Sequence, residues 1–415
     1  MGPAIHSTGR NERATIDAIQ GAMLLRAGSK LDSKAFSNPK IKASLPQWLQ
    51  ANVNDDVRQR AMNNAHEFAS MSLYDMTVAF MRAAGQENGV RANRLDTIRN
   101  AFQPGLRAAF SSNSVADLYG ATMGARVLEG YSEIRDFTDG WTSESENPDM
   151  ENHDRIRMES AQNLKYMPIG GEAQHATRAT KTEQLRVERF ARQLEVDEAD
   201  ILGDNFGKLK DTPRDFGLAA GRVRPDLGAN ILLANPTLTA TGRALTNTTD
   251  GNRFGSAALA RATLTAAIAA MAKFKDGDAT LNLAATHLIC PPDIFDTAVQ
   301  LTRSSVNATT SADAGNLNPI FEYGIAAVGE ARLANGVVDP VAGTSRSGST
   351  STWWLVSREA HTIEFVYLTG AGRAPIVRTT ELTNGRFGLN MDVRLYVGAK
   401  ALDWRGFIYN QSASL

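Results

Sequence analysis

Cys290 and His287 stand three residues apart, and a thiol beside an imidazole is the pairing from which a nucleophile and its base are built. Their setting argues against that use. Both fall in a run read as a strand over residues 286–290, and strand positions three apart face opposite ways, so the side chains diverge. His287 is expected to be a satisfied core histidine and Cys290 a small core residue. Gly343-Thr344-Ser345-Arg346-Ser347-Gly348 comes near the Gly-x-Ser-x-Gly nucleophile elbow. Its second Gly falls one place late, and its context is a loop rather than strand-turn-helix. The other histidines, His6, His66, His153, His175 and His361, do not pair with a His or Cys at metal-ligand spacing. The acidic run Glu195, Asp197, Glu198, Asp200 and Asp204 lacks the Gly-centred spacing of a calcium loop and reads as a solvated or interface charge cluster. There is no Walker loop, no Gly-x-Gly-x-x-Gly and no His-Glu-x-x-His. No catalytic residue, metal ligand or cofactor is expected.

The remaining charged constellation is Arg178, Lys181, Arg186, Arg189 and Arg192, interleaved with Glu183, Glu188 and Glu195. Mixed signs favour ion pairs between subunits over phosphate binding. The whole chain carries 44 basic and 45 acidic residues, net −1. That lacks the cationic excess of a general nucleic-acid binder; near-neutrality fits a container whose wall must not grip DNA tightly and equally most cytoplasmic enzymes, so it decides little. A single cysteine rules out an internal disulfide. The first ten residues have no apolar signal core, and no apolar stretch approaches a bilayer-spanning length, so neither secretion by a signal peptide nor membrane insertion is expected. Trp353-Trp354 in a strand implies one ring facing the core and one facing out, toward a neighbour.

These residues need positioning elements. The 415 residues allow two or three domains. Residues 1–110 read as short polar helices on flexible joints, including a Ser72-capped helix ending near Gly85 and a second over residues 95–102. A helix over 115–128 precedes an acidic, Ser-rich passage, 136–154, read as an exposed connection. Runs 157–169 and 181–194 around Gly170-Gly171-Glu172 read as a long β-hairpin with few large apolar residues. A helix spans 211–234, with Phe216, Ala220, Val223, Leu227 and Ile231 on one face, Pro213 in its first turn and Pro225 expected to kink or split it. Beyond it helix and strand alternate: a Ser256-capped helix to about 274, the 286–290 strand, a helix through Val299, and strands at 325–332, 352–357, 363–368, 375–381 and 389–403. Residues 336–350 read as a surface loop.

The order of these elements resembles the Hong Kong 97 (HK97) fold of tailed-phage major capsid proteins. Gly171-Glu172 and the 181–194 run look like that family's extended loop. Ile201-Leu202-Gly203-Asp204-Asn205-Phe206 sits where many members carry an Asn-Asp-Asp-Leu-type turn, which is only partly present here. The helix ending at Asn235-Pro236 looks like the spine helix and its exit. His287-Leu288-Ile289-Cys290-Pro291-Pro292, then Asn318-Pro319 and the residues Val328, Glu330, Arg332 and Leu333, resemble strands of the axial domain. Trp353-Trp354-Leu355 and Ile363-Glu364-Phe365 resemble the next pair, and 398–406 the closing strand.

The likeness covers about residues 111–410, and the leader, on Met71-Ser72-Leu73 through Gly85, is similar to the region that links a fused prohead protease to the capsid domain in one branch. It implies an α+β capsid fold: a helical leader or scaffold-like arm at 1–110, an N-arm at 111–155, an extended loop at 156–200, a spine helix of the peripheral domain at 201–236, an axial domain at 237–385, and a closing strand and C-terminus at 386–415. It also implies a non-enzymatic shell subunit that forms hexamers and pentamers in the host bacterial cytoplasm and encloses double-stranded DNA. Its partners would be its own copies, a portal and other head proteins, with no membrane and no cofactor. Lys165, Arg178, Lys181, Arg186 and Arg189 in the extended loop become expected intersubunit contacts. The rivals are an encapsulin-type nanocompartment shell and, from another class, a prohead-processing protease.

Overall fold

The computed structural model describes residues 9–26, 64–65, 68, 71–83, 90–91, 93–101, 115–158, 166–167, 169, 172, 180–203, 206–255, 257–306, 317–382 and 388–411. It is a mixed helix-and-sheet chain that divides into two compact units. One comprises residues 1–135, 189–222 and 370–396, the other 136–188, 223–369 and 397–415.

In the first unit, the helices Gly9–Arg26, Leu73–Ala83, Arg94–Ala101 and Val115–Glu133 build one apolar core with the strand residues Val196, Leu389, Met391 and Val393. The leader's described helices therefore share a core instead of standing apart. Ser72 caps as expected: its Oγ accepts the Asp75 amide at 3.2 Å, and Leu73, Met76, Phe80 and Met81 are buried at helical spacing. The 95–102 helix is Arg94–Ala101, opened by Asn93, whose Oδ1 accepts the Leu95 amide at 3.1 Å. Ile376–Glu381 pairs antiparallel with residues 389–394.

The long helix is Phe206–Ala234, 29 residues without interruption, so Pro213 lies well inside it and Pro225 does not split it. A proline removes one ladder hydrogen bond, which the remaining turns and the packing around a buried Pro225 outweigh. The face expected at Phe216, Ala220 and Val223 is only half-buried; the more deeply buried row is Pro213, Gly217, Gly221, Arg224 and Gly228. In the first unit glycines let this helix and Val115–Glu133 touch backbone to backbone: a Cβ on Gly217 would lie 2.0 Å from the Val127 carbonyl oxygen, and one on Gly130 would lie 2.2 Å from that of Arg214. Residues 206–222 of the helix belong to the first unit and 223–234 to the second.

The second unit holds a four-stranded sheet in the order Phe407–Gln411, Thr352–Val356, His287–Cys290, Ala326–Gly329. Helices Arg261–Ala272 and Phe295–Arg303 contribute to the core on the face that carries Leu288, Cys290, Trp353 and Leu355. The Arg261–Ala272 helix starts later than expected and is opened by Ala260, whose amide donates to Thr263 Oγ1 at 3.0 Å; Ser256 lies outside the described residues. The strand expected over 325–332 stops at Gly329, because Glu330 caps the short helix Ala331–Asn335. Phe407–Gln411 was not expected as a separate strand. The passage read as an exposed connection holds buried Phe137 and Trp141 and a strand, Ser143–Asn147, parallel to Ile363–Leu368. Ser-Glu-Ser-Glu-Asn has no apolar residue, so only its distant partner makes it a strand.

Candidate functional site

The strand His153–Met158 alternates charge and apolarity, and its pattern is inside out. Arg155 and Arg157 turn toward the body of the second unit, while Ile156 and Met158, 63 % and 60 % exposed, turn to solvent. This strand pairs antiparallel with Thr180–Leu185, register His153↔Leu185 to Met158↔Thr180. An antiparallel pair thus stands where the hairpin was expected, but over 153–158 and 180–185; the turn at Gly170-Gly171 lies outside the described residues, and the expected second run splits. Residues 180–185 belong to the hairpin, whereas Glu188–Asp197 pairs with Gly388–Ala401. The break falls at Leu185 and Val187, both buried as anchors. Farther along the loop Tyr166 and Ile169 are almost wholly exposed.

Charge holds the inward face. Arg155 Nε donates to Glu364 Oε1 at 2.7 Å, and its Nη2 donates to Ser145 Oγ and Asn147 Oδ1, both at 2.8 Å. Arg157 pairs with Asp403 and, at 3.3 Å, with Asp276. Arg405 bonds the same two carboxylates, at 2.8 Å to Asp276 and 3.3 Å to Asp403. Glu183, buried on the partner strand, accepts the Ala240 amide at 2.8 Å and faces Lys400 Nζ at 3.5 Å. The outward face carries Ile156 and Met158 beside the polar Asp154, Thr180, Thr182 and Gln184.

Of the five residues expected at intersubunit contacts, Lys165 and Arg178 lie outside the described residues. Lys181 is half-buried opposite Arg157 in the hairpin register. Arg186 is exposed but already paired within its own chain, to Glu188 Oε1 at 2.5 Å. Arg189 is exposed on the Glu188–Asp197 strand of the first unit. The reading of the sequence passed over Arg155, Arg157, Asp276, Asp403 and Arg405. The Arg-Ile-Arg-Met alternation was the visible signal, and the acceptors are scattered along the chain.

The other candidates resolve into structure. Cys290 is buried in the sheet core, and burial pushes its thiol up to about 12. His287 faces the opposite side, its Nδ1 2.9 Å from Thr286 Oγ1; burial, aided by Arg358, lowers its pKa. Trp353 and Trp354 are both buried, which corrects the outward ring: Thr352–Val356 is an inner strand covered on both faces, and Trp354 stacks edge-on against Tyr409 with ring centroids 5.7 Å apart. Ser345-Arg346 pairs with Val337-Val338 in a small surface ribbon. In the acidic run, Asp197 and Asp200 form a capping box and Glu198 binds Arg99 at 3.0 Å; Asp204 is outside the described residues. Among the described residues no cluster of His, Cys, Asp and Glu could hold a metal, and no helix is long and apolar enough to cross a membrane.

A family model described as "Phage capsid protein" matches residues 180–410. Among solved structures, the chain is similar to the capsid of Cyanophage P-SCSP1u, at 12% identity over 68% of this chain and 88% of that one, TM-score 0.45. It is similar to the mature capsid of bacteriophage PhiM1, at 14% identity over the same two shares, TM-score 0.45. The capsid of Ralstonia phage GP4 shares 13% identity over 66% of this chain and 87% of that one, TM-score 0.43. No curated protein matches the sequence.

Proposed function

This chain belongs to the phage capsid protein family, a structural protein of the phage head, and from that premise we propose that it closes an icosahedral shell by binding copies of itself as hexamers and pentamers around packaged double-stranded DNA. In this reading the HK97 parts map onto the chain. Residues 156–200 are the extended loop with the hairpin at its base, the Phe206–Ala234 helix is the spine, residues 237–385 form the axial domain, and 386–415 hold the closing strand. The leader at 1–110 and the N-arm at 111–155 complete the subunit. Assembly takes place in the bacterial cytoplasm, with a portal and other head proteins as further partners.

The observation that carries the proposal is the hairpin's inside-out face. Arg155 and Arg157 bind inward, so Ile156 and Met158 are left exposed for another surface, as are Tyr166, Met167 and Ile169. A neighbouring copy is the cover a symmetric shell provides at every position. Each contact need contribute little, because closure makes them simultaneous. Lys165, Arg178, Lys181, Arg186 and Arg189 would flank that strip with ion pairs to the neighbour, Arg186 exchanging its Glu188 partner to do so.

Electron microscopy of the purified full-length protein tests this: regular icosahedral particles are expected. Deletion of residues 164–180 should leave a soluble subunit that makes none. Normal particles from the deletion would overturn the role of the loop, and protein cargo in place of nucleic acid inside the native particles would overturn DNA enclosure.

A further inference from the structure

The two hairpin strands pair with each other and with no other described strand. A lone two-stranded ribbon is marginal in water, so what holds it down decides where it lies. Its root is apolar: Leu185 is buried where the chain leaves the body. Toward its free end the hold becomes ionic. Four positions out in the register, Arg157 stands opposite Lys181 and reaches Asp276 and Asp403.

Those carboxylates are organised from the body's own side. Arg405 donates from Nη2 to Asp276 Oδ1, from Nη1 to both oxygens of Asp403, and from Nε to the Lys275 carbonyl at 2.9 Å, while its guanidinium lies 5.3 Å from the Trp404 ring centre. All three side chains are under a tenth exposed. Asp276, Asp403 and Arg405 together carry a formal charge of −1, and Arg157 brings the four to zero. Burying an excess charge is costly, and the Arg157 guanidinium offsets it. Arg157 itself is a third exposed, so solvent ions reach the contact.

We propose that Asp276, Asp403 and Arg405 form a socket for a guanidinium, and that Arg157 seated in it is the outermost ionic latch of the hairpin, beyond the holds of Arg155 on Glu364 and of Glu183 on Ala240 and Lys400, so that ionic release frees the ribbon from its outer end toward the apolar root. The latch has a directional consequence. Ionic strength weakens the inner, charged hold, while it leaves or strengthens apolar contact made by Ile156 and Met158 on the outer side. Release and outward docking are therefore favoured by the same change in solvent. The latch concerns contacts within one chain and stands independently of shell formation; the outward docking rests on the proposed shell.

Amide hydrogen exchange on the unassembled full-length chain tests it. In Arg157→Met, residues 153–158 and 180–185 should exchange about tenfold faster or more, with Thr352–Val356 and Phe407–Gln411 unchanged. Adding Asp403→Asn removes the uncompensated charge and should return hairpin exchange toward wild type, a rescue that lost packing alone would not show. Hairpin exchange within about twofold of wild type in Arg157→Met, or a double variant no slower than the single one, overturns the latch. If Arg157→Met exchanges faster throughout, wild-type protein decides. Between ~0.1 M and ~1 M sodium chloride the screening length falls from ~10 to ~3 Å, and faster exchange confined to the hairpin supports the latch, whereas none overturns it.

Discussion

The Val127 carbonyl oxygen occupies the space a side chain on Gly217 would need: a Cβ there falls 2.0 Å from it. Gly130 and the Arg214 carbonyl repeat the relationship in the other direction. The Val115–Glu133 helix and the first part of the long helix thus meet backbone to backbone. Glycine to alanine in a helix ordinarily stabilises by about 1 kcal/mol. Here the sign reverses, because the added methyl meets rigid backbone. Gly217→Ala is expected to destabilise by about 1–3 kcal/mol, read from the denaturant midpoint.

Arg224 is a buried cation in the second unit. Its side chain is 5 % exposed, 2.9 Å from both Asp136 and Glu144, with its guanidinium carbon 4.6 Å from the Phe365 ring centre. Arg224→Met removes the cation shared by those partly exposed carboxylates, and a loss of about 1–3 kcal/mol is expected in equilibrium unfolding. Adding Glu144→Gln should recover part of it.

The exposed strip separates assembly from stability. Ile156→Asp together with Met158→Asp removes only solvent-facing apolar groups, so the unfolding free energy should stay within about 0.5 kcal/mol of wild type. Particle yield, followed by sedimentation and electron microscopy, should collapse. Normal yield would take the strip out of the interface.

Cys290 provides a chemical readout. Its buried thiol is held up at about 12, against an ordinary 9.0, so the folded chain should resist thiol reagents that label it at once in denaturant. The linkage sign follows from proton counts. Above pH ~9 the unfolded chain loses this proton while the folded one keeps it, so stability falls by up to about 1.4 kcal/mol per pH unit until pH ~12. Cys290→Ala should remove that alkaline component from the pH profile of unfolding.

What was legible in the sequence was local. The strands Thr352–Val356 and Ile363–Leu368 and the Ser72-capped helix Leu73–Ala83 lie within a residue or so of expectation, because alternation and capping are settled by neighbours a few positions away. The long helix was legible as a helix, but its most buried row was not. Apolar spacing found the buried Leu227 and Ile231, but toward the N-terminal half it pointed to the half-buried Phe216, Ala220 and Val223, whereas close approach selected Gly217, Gly221 and Gly228, residues that hydropathy does not rank as core.

By itself the sequence determined most of the helices and the apolar strands, the near-neutral charge and the absence of familiar catalytic motifs, since each is carried by composition or short-range pattern. Only the tertiary structure decided which way the hairpin faces and where its charges end. Arg155 turns inward because Glu364 waits there, and Arg157 because Asp276 and Asp403 do. Those partners lie more than a hundred residues away along the chain, and a periodicity of two says that faces alternate without saying which one meets the body.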